Sequence, residues 1–357
     1  MKRSPLFVLA AVLLSVPTPV PAEERQIGDT LLFARIGEPG MPEGIAVGGG
    51  VVYVGTHNSV IGNAGGPPSK IFKFDVDTRV SLGEITVQGQ DTSVTHGILG
   101  MEFGPDGALY VVDQNPGRIL RIDPVTDAQT TYATIPDLAT CLLGPSPGCA
   151  PGLFALFPTW ANDLAFAPDG SMYVTDLQAA TIFRVPPGGG AGEVWYQDAR
   201  FDSYFGLNGI AVDPCGTKLY FAMTFSLQPT SPTLGIIYTL PLQAESPQPS
   251  DLQVFHTFAQ PASGPDGIRF GASGKLYVAL AGANQIGILN PDGSEAAIFP
   301  DPVTNLLLEL DGASYDFPAS VAFDGKGSLL VTNHPFFTML PLHWTVLDVW
   351  VDDTAAP

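Results

Sequence analysis

One pattern occurs six times along the chain and restricts the fold more than any other feature. Each copy has a short apolar segment, a turn that contains glycine, and a second apolar segment that is usually centred on tyrosine. The copies are GIAVGGGVVYVGT from Gly44, GMEFGPDGALYVVD from Gly100, DLAFAPDGSMYVTD from Asp163, GIAVDPCGTKLYFAM from Gly209, GIRFGASGKLYVAL from Gly267 and SVAFDGKGSLLVTN from Ser320. One residue at the centre of the second apolar segment anchors each copy, and these residues lie 47 to 63 positions apart from one copy to the next. They are Tyr53, Tyr110, Tyr173, Tyr220, Tyr277 and Leu330. Such periods predict an all-β fold of repeated blades with enlarged loops.

Further segments complete most copies. A third strand-like segment follows each copy, at residues 71–75, 118–123, 181–185, 235–240, 285–290 and 344–351. A weaker fourth segment, such as residues 84–88 or 295–299, completes most of them. The sixth copy lacks a fourth segment, because the sequence reaches Pro357 soon after its third. The repeat therefore predicts four-stranded blades, the last of which is one strand short.

The strand-like run TLLFARI at residues 30–36 can supply the missing strand. It precedes the first copy and has no blade of its own. If it pairs beside residues 344–351, the ring closes and no sheet edge stays open between the termini. We therefore expect a six-bladed β-propeller with four-stranded blades, closed by an N-terminal strand. An open array of sheets or a two-sheet sandwich is the alternative.

Residues 1–22 have the features of an export signal. Two basic residues precede an apolar run, and the small residue Ala22 precedes Glu23. The apolar run, about eleven residues, is shorter than the roughly 20 that a membrane-spanning helix needs. We therefore expect cleavage, a single propeller domain at residues 23–357, and a secreted or periplasmic location with no membrane association after cleavage.

The charge of the chain restricts its partners. A formal net charge of −20 at pH 7 repels phosphate backbones and anionic membrane surfaces. We therefore expect a small-molecule substrate and no nucleic-acid or membrane partner.

Three cysteines fit an oxidising compartment. Cys141 and Cys149 are close enough in sequence to bridge their own loop, which would leave Cys215 unpaired. The other two pairings stay open at this point.

Polar residues recur just before the first strand of several blades. In a propeller that strand lines the central channel, so the residue before it lies at the channel mouth. Around the ring these residues are Glu43, Leu99, Asn162, Asn208, Asp266 and Ala319. Any one Asn or Asp before glycine is typical of a turn, but four oxygen-bearing side chains at one structural position predict a shared site.

The predicted site suits a hard divalent metal. Two carboxylates and two amides carry a total charge of −2, and the absence of thiolate or imidazole disfavours zinc and copper. Calcium accepts carboxamide oxygens and several waters, so we expect Ca²⁺ bound by Glu43, Asn162, Asn208 and Asp266, with other divalent cations as alternatives.

With these motifs, PEG at Glu43, ND at Asn162, NG at Asn208 and PDG at Asp266, the whole mature chain resembles the regucalcin and gluconolactonase-like propellers (the senescence marker protein, gluconolactonase and luciferin-regenerating enzyme type). Paraoxonases and diisopropylfluorophosphatase are more distantly similar. The resemblance implies that Glu43, Asn208 and Asp266 hold the ion, and that Asn162 is a ligand or a substrate contact. It also implies hydrolysis of lactones, esters or phosphoesters.

One position departs from the family pattern. Gluconolactonase-like members tend to have a basic residue two positions before the first Asn, where it grips a sugar acid, whereas this chain has Trp160. A less polar substrate fits this position better, and we expect Trp160 to contact it.

Three histidines are further candidates. His96, in THGILG, resembles the HG motif of paraoxonases, whose histidine acts as a base, although it lies three residues before the mouth position. His57 and His334 lie in enlarged loops on the metal-binding face, where a substrate would bind.

The sequence therefore predicts a calcium-dependent lactonase or esterase. A metal-bound carbonyl is open to attack by water, and Asp266 is the expected general base, with a nucleophilic role as the alternative. A non-catalytic propeller, in which calcium rigidifies the channel and the loops bind a ligand or partner, is the second hypothesis.

Overall fold

Short antiparallel strands form almost all of the regular structure in this computed structural model, which describes residues 24–58, 66–140, 149–150 and 159–357. The predicted signal segment and Cys141 lie outside these residues, so cleavage and the Cys141–Cys149 bond stay predictions. Cys215 is free and exposed. Among the described residues, no helix is both long and apolar enough to cross a membrane.

The N-terminal strand β1 (Thr30–Arg35) is followed by two four-stranded sheets. Sheet 1 contains β2 (Pro42–Gly48), β3 (Val51–Asn58), β4 (Lys70–Asp75) and β5 (Ser81–Thr86). Sheet 2 contains β6 (His96–Phe103), β7 (Leu109–Asp113), β8 (Arg118–Ile122) and β9 (Gln129–Thr134). A short pairing of His57 with Gly97 joins β3 to β6.

Three more meanders follow along the chain. A two-stranded parallel pair, β10 (Ala139–Thr140) and β11 (Cys149–Ala150), precedes sheet 3. Sheet 3 contains β12 (Ala161–Phe166), β13 (Met172–Asp176), β14 (Thr181–Val185) and β16 (Glu193–Gln197), while β15 (Gly190–Ala191) pairs with β9. Sheet 4 contains β17 (Leu207–Val212), β18 (Lys218–Met223), β19 (Ile236–Pro241) and β20 (Gln253–Thr257). Sheet 5 contains β21 (Pro265–Phe270), β22 (Leu276–Leu280), β23 (Gln285–Leu289) and β24 (Glu295–Phe299).

The last sheet combines the two ends of the described chain. Sheet 6 contains β25 (Pro318–Phe323), β26 (Gly327–Asn333) and β27 (Thr345–Asp353), and β1 pairs antiparallel with β27. The predicted pairing of residues 30–36 with residues 344–351 is therefore present. One short helix, α1 (Pro302–Leu308), lies between sheets 5 and 6 and is capped by the Asp301 carboxylate.

Apolar clusters lie between consecutive sheets. One cluster joins Tyr53 and Ile71 of sheet 1 to Leu109 of sheet 2. Another joins Val346 of sheet 6 to Ile45 of sheet 1. Burial of each large aliphatic side chain contributes about 1.5–3 kcal/mol, so each sheet depends on its neighbours. The first strand of each sheet contacts that of the next, and β25 contacts β2. The arrangement is of the β-propeller type.

The turns and third strands follow the sequence pattern closely. In the two PDG turns, Gly107 and Gly170 have φ of 75° and 83°, values that glycine adopts without strain. The outer strand of sheet 1 differs from the prediction, because β5 covers Ser81–Thr86 rather than residues 84–88. Only Ile85 is buried in this strand, so little apolar alternation was available to locate it.

Candidate functional site

Each predicted metal ligand lies at an irregularity in its strand. Glu43, Asn162, Asn208 and Asp266 are the second residues of β2, β12, β17 and β21. In all four strands the pairing register shifts just after the first residue, so the ligand residue has no opposite partner in the ladder. A bulge of this kind re-aims a side chain at a sheet end, here toward a space that the four strands share.

Glycines beside these residues let neighbouring strands approach closely. A Cβ atom on Gly44 would lie 1.8 Å from the carbonyl oxygen of Leu99 in the next sheet. A Cβ atom on Gly209 would lie 2.2 Å from the carbonyl oxygen of Asp266. No other residue fits at either position without moving backbone. The glycines in the EG and NG pairs therefore serve strand packing rather than a turn.

One cavity brings together seven of the eight predicted site residues. They are Glu43, Asn162, Asn208 and Asp266, with His57, Trp160 and His334 beside them. The cavity volume is about 30 Å³, which suits a cation or a water molecule. Any molecule larger than these must therefore extend out through the mouth of the cavity.

The two carboxyl groups at this cavity are costly to ionise. Burial, with repulsion from Asp266 and Asp163, raises the pKa of Glu43 well above its usual range, and Arg269 opposes the shift only in part. Burial and Asp163 likewise raise the pKa of Asp266, although the Asn208 side chain and the Gly267 N–H donate hydrogen bonds to it. A cation between the two carboxylates would remove this penalty.

Unpaired oxygens at the same place fit a hard cation. Glu43 Oε2 and Asn208 Oδ1 are buried and have no hydrogen-bond partner among the described residues. Buried acceptors without a partner are rare in proteins and often mark an ion or water. The donor set, two carboxylates and two amides, matches calcium. The described residues contain no group of three or more His, Cys, Asp or Glu placed to hold a metal, so a cation here would depend on amide oxygens and water.

Two neutral imidazoles form another wall of the cavity. Burial lowers the pKa of His57 to about 4. Burial and His57 lower the pKa of His334 well below its usual range. The rings of His57 and His334 are 5.2 Å apart, and Trp160 lies 5.9 Å from His57. His57 Nε2 lies 2.9 Å from Gln114 Oε1, so Nε2–H is the donor and Nδ1 keeps its lone pair.

His96 lies elsewhere, and the structure does not favour it as a catalytic base. It is fully buried at the start of β6 and is not among the residues that line the cavity. Its Nδ1 lies 2.8 Å from the carbonyl oxygen of Val94 and its Nε2 lies 2.9 Å from that of Pro67. Both ring nitrogens therefore face backbone carbonyl oxygens. His96 is the first residue of β6, where this strand pairs with β3.

Three threonine hydroxyls, which the sequence analysis did not identify, donate hydrogen bonds to backbone carbonyls at the site. Thr175 Oγ1 donates to the carbonyl oxygen of Asn208 at 2.5 Å, and Thr332 Oγ1 donates to that of Glu43 at 2.6 Å. Thr224 Oγ1 donates to the carbonyl oxygen of Pro265 and accepts from Asn208 Nδ2. These threonines recur near the end of the second apolar segment of their copies, a signal that the sequence does contain.

Aromatic side chains were also missed. Phe205, Phe317 and Phe336 line the cavity. Phe336 stacks on Phe317 at 5.9 Å and meets Phe205 edge-on at 5.7 Å. The site is therefore polar on the metal-ligand side and aromatic on the other.

A larger cavity of about 600 Å³ lies at the other ends of the same inner strands, and it includes Glu102 and Arg269. The smaller cavity is the candidate site, because the Arg269 guanidinium at the larger one is already paired with the Asp163 carboxylate. Arg269 donates to Asp163 Oδ2 and to the carbonyl oxygens of Ile210, Ile268 and Met101. It ties inner strands together.

A family model described as "SMP-30/Gluconolactonase/LRE-like region" matches residues 158–310. This part of the chain is similar to that family. The resemblance inferred from the spaced motifs is confirmed. The matched residues include Trp160, Asn162, Asn208 and Asp266, whereas Glu43 precedes them.

Relatives of this region agree with the assignment. A gluconolactonase of Zymomonas mobilis is 28% identical over 216 residues, covering 54% of this chain and 51% of the relative. The match thus spans about half the length of that relative. A calcium-binding protein, regucalcin, from Agrobacterium tumefaciens superposes with a TM-score of 0.60 and 17% identity, covering 92% of this chain and 95% of its own. A Xanthomonas campestris gluconolactonase gives 0.56 and 15%, covering 90% and 89%. At these identities the two structures establish the fold alone.

Proposed function

We propose that the protein is a metal-dependent hydrolase that opens small, comparatively apolar lactones or esters at the cavity of Glu43, Asn162, Asn208 and Asp266. The observation that carries the proposal is the pair of buried carboxyl groups beside unpaired amide and carboxylate oxygens. Similarity to gluconolactonases over the region that contains Asp266 supports lactone hydrolysis.

Calcium is the proposed ion, held by Glu43, Asn162, Asn208 and Asp266. When bound, it would supply a Lewis acid that polarises the ester carbonyl. The regucalcin to which the fold is similar is described as calcium-binding. Other divalent ions with a preference for oxygen ligands are candidates on the same grounds.

Asp266 is the proposed general base. Its carboxylate lies at the wall of a small cavity, where it can take a proton from an attacking water. The Asn208 side chain and the Gly267 N–H fix its orientation by hydrogen bonds. A nucleophilic Asp266 would use the same geometry. His57 and His334, both neutral, are proposed to contact the substrate without carrying charge.

The apolar preference follows from the walls of the cavity. Trp160 occupies the position where a basic residue would grip a sugar acid, and none of the residues that line this cavity is Lys or Arg. An anionic substrate would therefore add a third negative group beside Glu43 and Asp266, and the two positive charges of a bound Ca²⁺ balance only those two carboxylates.

The closed propeller architecture and the export of the protein are also part of the proposal. We infer that the six sheets are the blades of one closed propeller at residues 23–357, with β1 as the closing strand. The β1–β27 pairing and the apolar cluster between sheets 6 and 1 support this. We also propose export after removal of residues 1–22, which N-terminal sequencing of secreted or periplasmic protein near Glu23 would test.

The experiment is a panel of lactones and aryl esters, assayed with calcium and with a chelator. We expect calcium-dependent turnover in the wild type and its loss in Asp266→Asn. Asp292→Asn, which makes the same change at an exposed turn, is the matched control and should stay active. If the wild type binds calcium but hydrolyses nothing in the panel, the protein is instead a calcium-stabilised binding protein.

A further inference from the structure

The inner cavity is too small for a substituted substrate. At about 30 Å³ it has room near Asp266 for little more than an ion or a water. Any substituent of a lactone must then point out through the mouth. The side chains at that mouth decide which substituents bind.

The mouth continues as a row of phenylalanine rings. Phe336 lines the cavity, and its ring lies 5.2 Å from that of Phe337. Phe337 also meets Phe317 edge-on at 5.3 Å. On the other side Phe205 meets Phe225 at 5.9 Å. The row therefore leads from the buried cavity to the surface without a polar break among these rings.

Phe337 is held at the surface rather than buried. Its side chain is 69% exposed, which is costly for a large aromatic ring. The loop that carries it is anchored by Asp316, which accepts a hydrogen bond from Thr338 Oγ1 and lies 2.6 Å from His343 Nδ1. His343 Nε2 in turn lies 3.1 Å from Glu309 Oε1. Phe337 is contiguous with Phe317 and Phe336, and an exposed apolar patch that continues into a cavity is typical of a binding surface.

We propose that Phe205, Phe317, Phe336 and Phe337 form a subsite for a hydrocarbon substituent, so that the substrates are lactones carrying an alkyl or aryl chain rather than polyhydroxylated sugar lactones. This inference rests on the proposed function. The ring binds at the inner cavity, and the chain lies along the phenylalanine row, where burial of each methylene adds affinity.

A series of γ-butyrolactones with an alkyl group on ring carbon 5, from methyl to hexyl, tests the subsite directly. Each buried methylene should raise kcat/KM by about three- to four-fold, until the chain passes Phe337. Glucono-δ-lactone should be a poorer substrate than the longer members of the series.

Binding is measured separately from turnover. The 5-alkyl-2-pyrrolidinones carry the same chains on a ring that is not an ester, and calorimetry should show affinity increasing with chain length. This measurement distinguishes failure of the hydrocarbon subsite from failure of the proposed hydrolase function. If no lactone is hydrolysed but lactam affinity rises with chain length, the subsite stands and the proposed function fails.

Phe337→Ser removes the outermost ring, which does not line the inner cavity. We expect a shallower dependence on chain length for both kcat/KM and lactam affinity, and recovery in Phe337→Leu. Val125→Ser is the matched control, because Val125 is 90% exposed and follows β8 in a turn outside both cavities. It should leave the chain-length dependence unchanged.

Three results would overturn the inference. The first is lactone hydrolysis with no dependence on chain length in the wild type. The second is a dependence that Phe337→Ser leaves intact, since the chain would then bind elsewhere. Absence of both hydrolysis and lactam binding would reject the subsite together with the proposed function.

Discussion

The hydroxyl of Thr332 donates a 2.6 Å hydrogen bond to the backbone carbonyl of Glu43, a residue 289 positions away in the sequence. Thr332 belongs to β26 of sheet 6 and Glu43 to β2 of sheet 1. The bond therefore links the last sheet to the first beside a proposed calcium ligand. Thr175 makes the equivalent bond to Asn208. The positions of Glu43 and Asn208 thus depend on the neighbouring sheet.

Replacing Thr332 by the isosteric valine should weaken calcium binding. Valine loses the bond to Glu43 and the bond that the Thr332 hydroxyl accepts from the Ser320 N–H. Each lost hydrogen bond costs about 1 kcal/mol of unfolding free energy, and displacement of Glu43 should lower calcium affinity roughly tenfold. Thr56→Val is the matched control, because Thr56 bonds only to Lys70 in its own sheet. Calcium titration and thermal unfolding should show similar destabilisation in both variants but weaker binding only in Thr332→Val. Equal affinities would contradict the positioning role.

Repetition explains how much of this arrangement was predictable from sequence. The six copies located the strands, and one shared offset before them located Glu43, Asn162, Asn208 and Asp266 together. The third strand of sheet 3, residues 181–185, was predicted with the bounds that the structure has.

Features without a repeat were not predictable. His96 lies three residues before Leu99, as predicted, but outside the cavity: β6 begins at His96 itself, so that Leu99 is the fourth residue of the strand instead of the second. Phe336 and Phe205 lie in loops of different sheets, and their contact depends on how those loops fold over the channel. The hydrogen bond of Thr332 to Glu43 joins opposite ends of the chain, which local patterns do not reveal.

Removal of β1 should destabilise the whole molecule. Phe33 and Ile36 are buried in the cluster between sheets 6 and 1, and each contributes about 1.5–3 kcal/mol. A chain that lacks residues 24–36 should melt roughly 10 °C below one that starts at Glu24. Calorimetry should show one lowered transition. An unchanged melting temperature would mean that the ring closes in another way.

Glu102 should make stability depend on pH. Burial, opposed in part by Arg269, raises its pKa from 4.5 to about 7. The folded state therefore binds more protons than the unfolded state, and stability falls as pH rises from 4.5 through 7. Glu102→Gln should melt above the wild type at pH 8, and the difference should vanish toward pH 4.5. Glu193→Gln, at an exposed position, should show no such pH-dependent difference in melting temperature. A constant difference across this range would refute the assignment.

Calcium binding should be coupled to proton release. Burial, together with Asp266, raises the pKa of Glu43, and burial with Asp163 raises that of Asp266. The metal-free site therefore retains protons above the usual carboxyl range, and a cation must displace them. Calcium affinity should fall as pH is lowered, and calorimetry in buffers of different ionisation enthalpy should detect the released protons. Elemental analysis should give about one calcium per chain, and chelation should lower the melting temperature.

Variants of the four ligands separate charge from coordination. Glu43→Ala and Asp266→Ala leave the site with a charge of −1, so calcium affinity should fall by on the order of 100-fold or more. Asn162→Ala removes a neutral ligand that water can replace, so its affinity should fall far less. Asp266→Asn keeps an oxygen near the ion and should retain metal while it loses hydrolysis. Full activity in metal-loaded Asp266→Asn would eliminate Asp266 as base or nucleophile. Equal losses of calcium affinity in Asn162→Ala and Glu43→Ala would show that the two carboxylates do not dominate calcium binding.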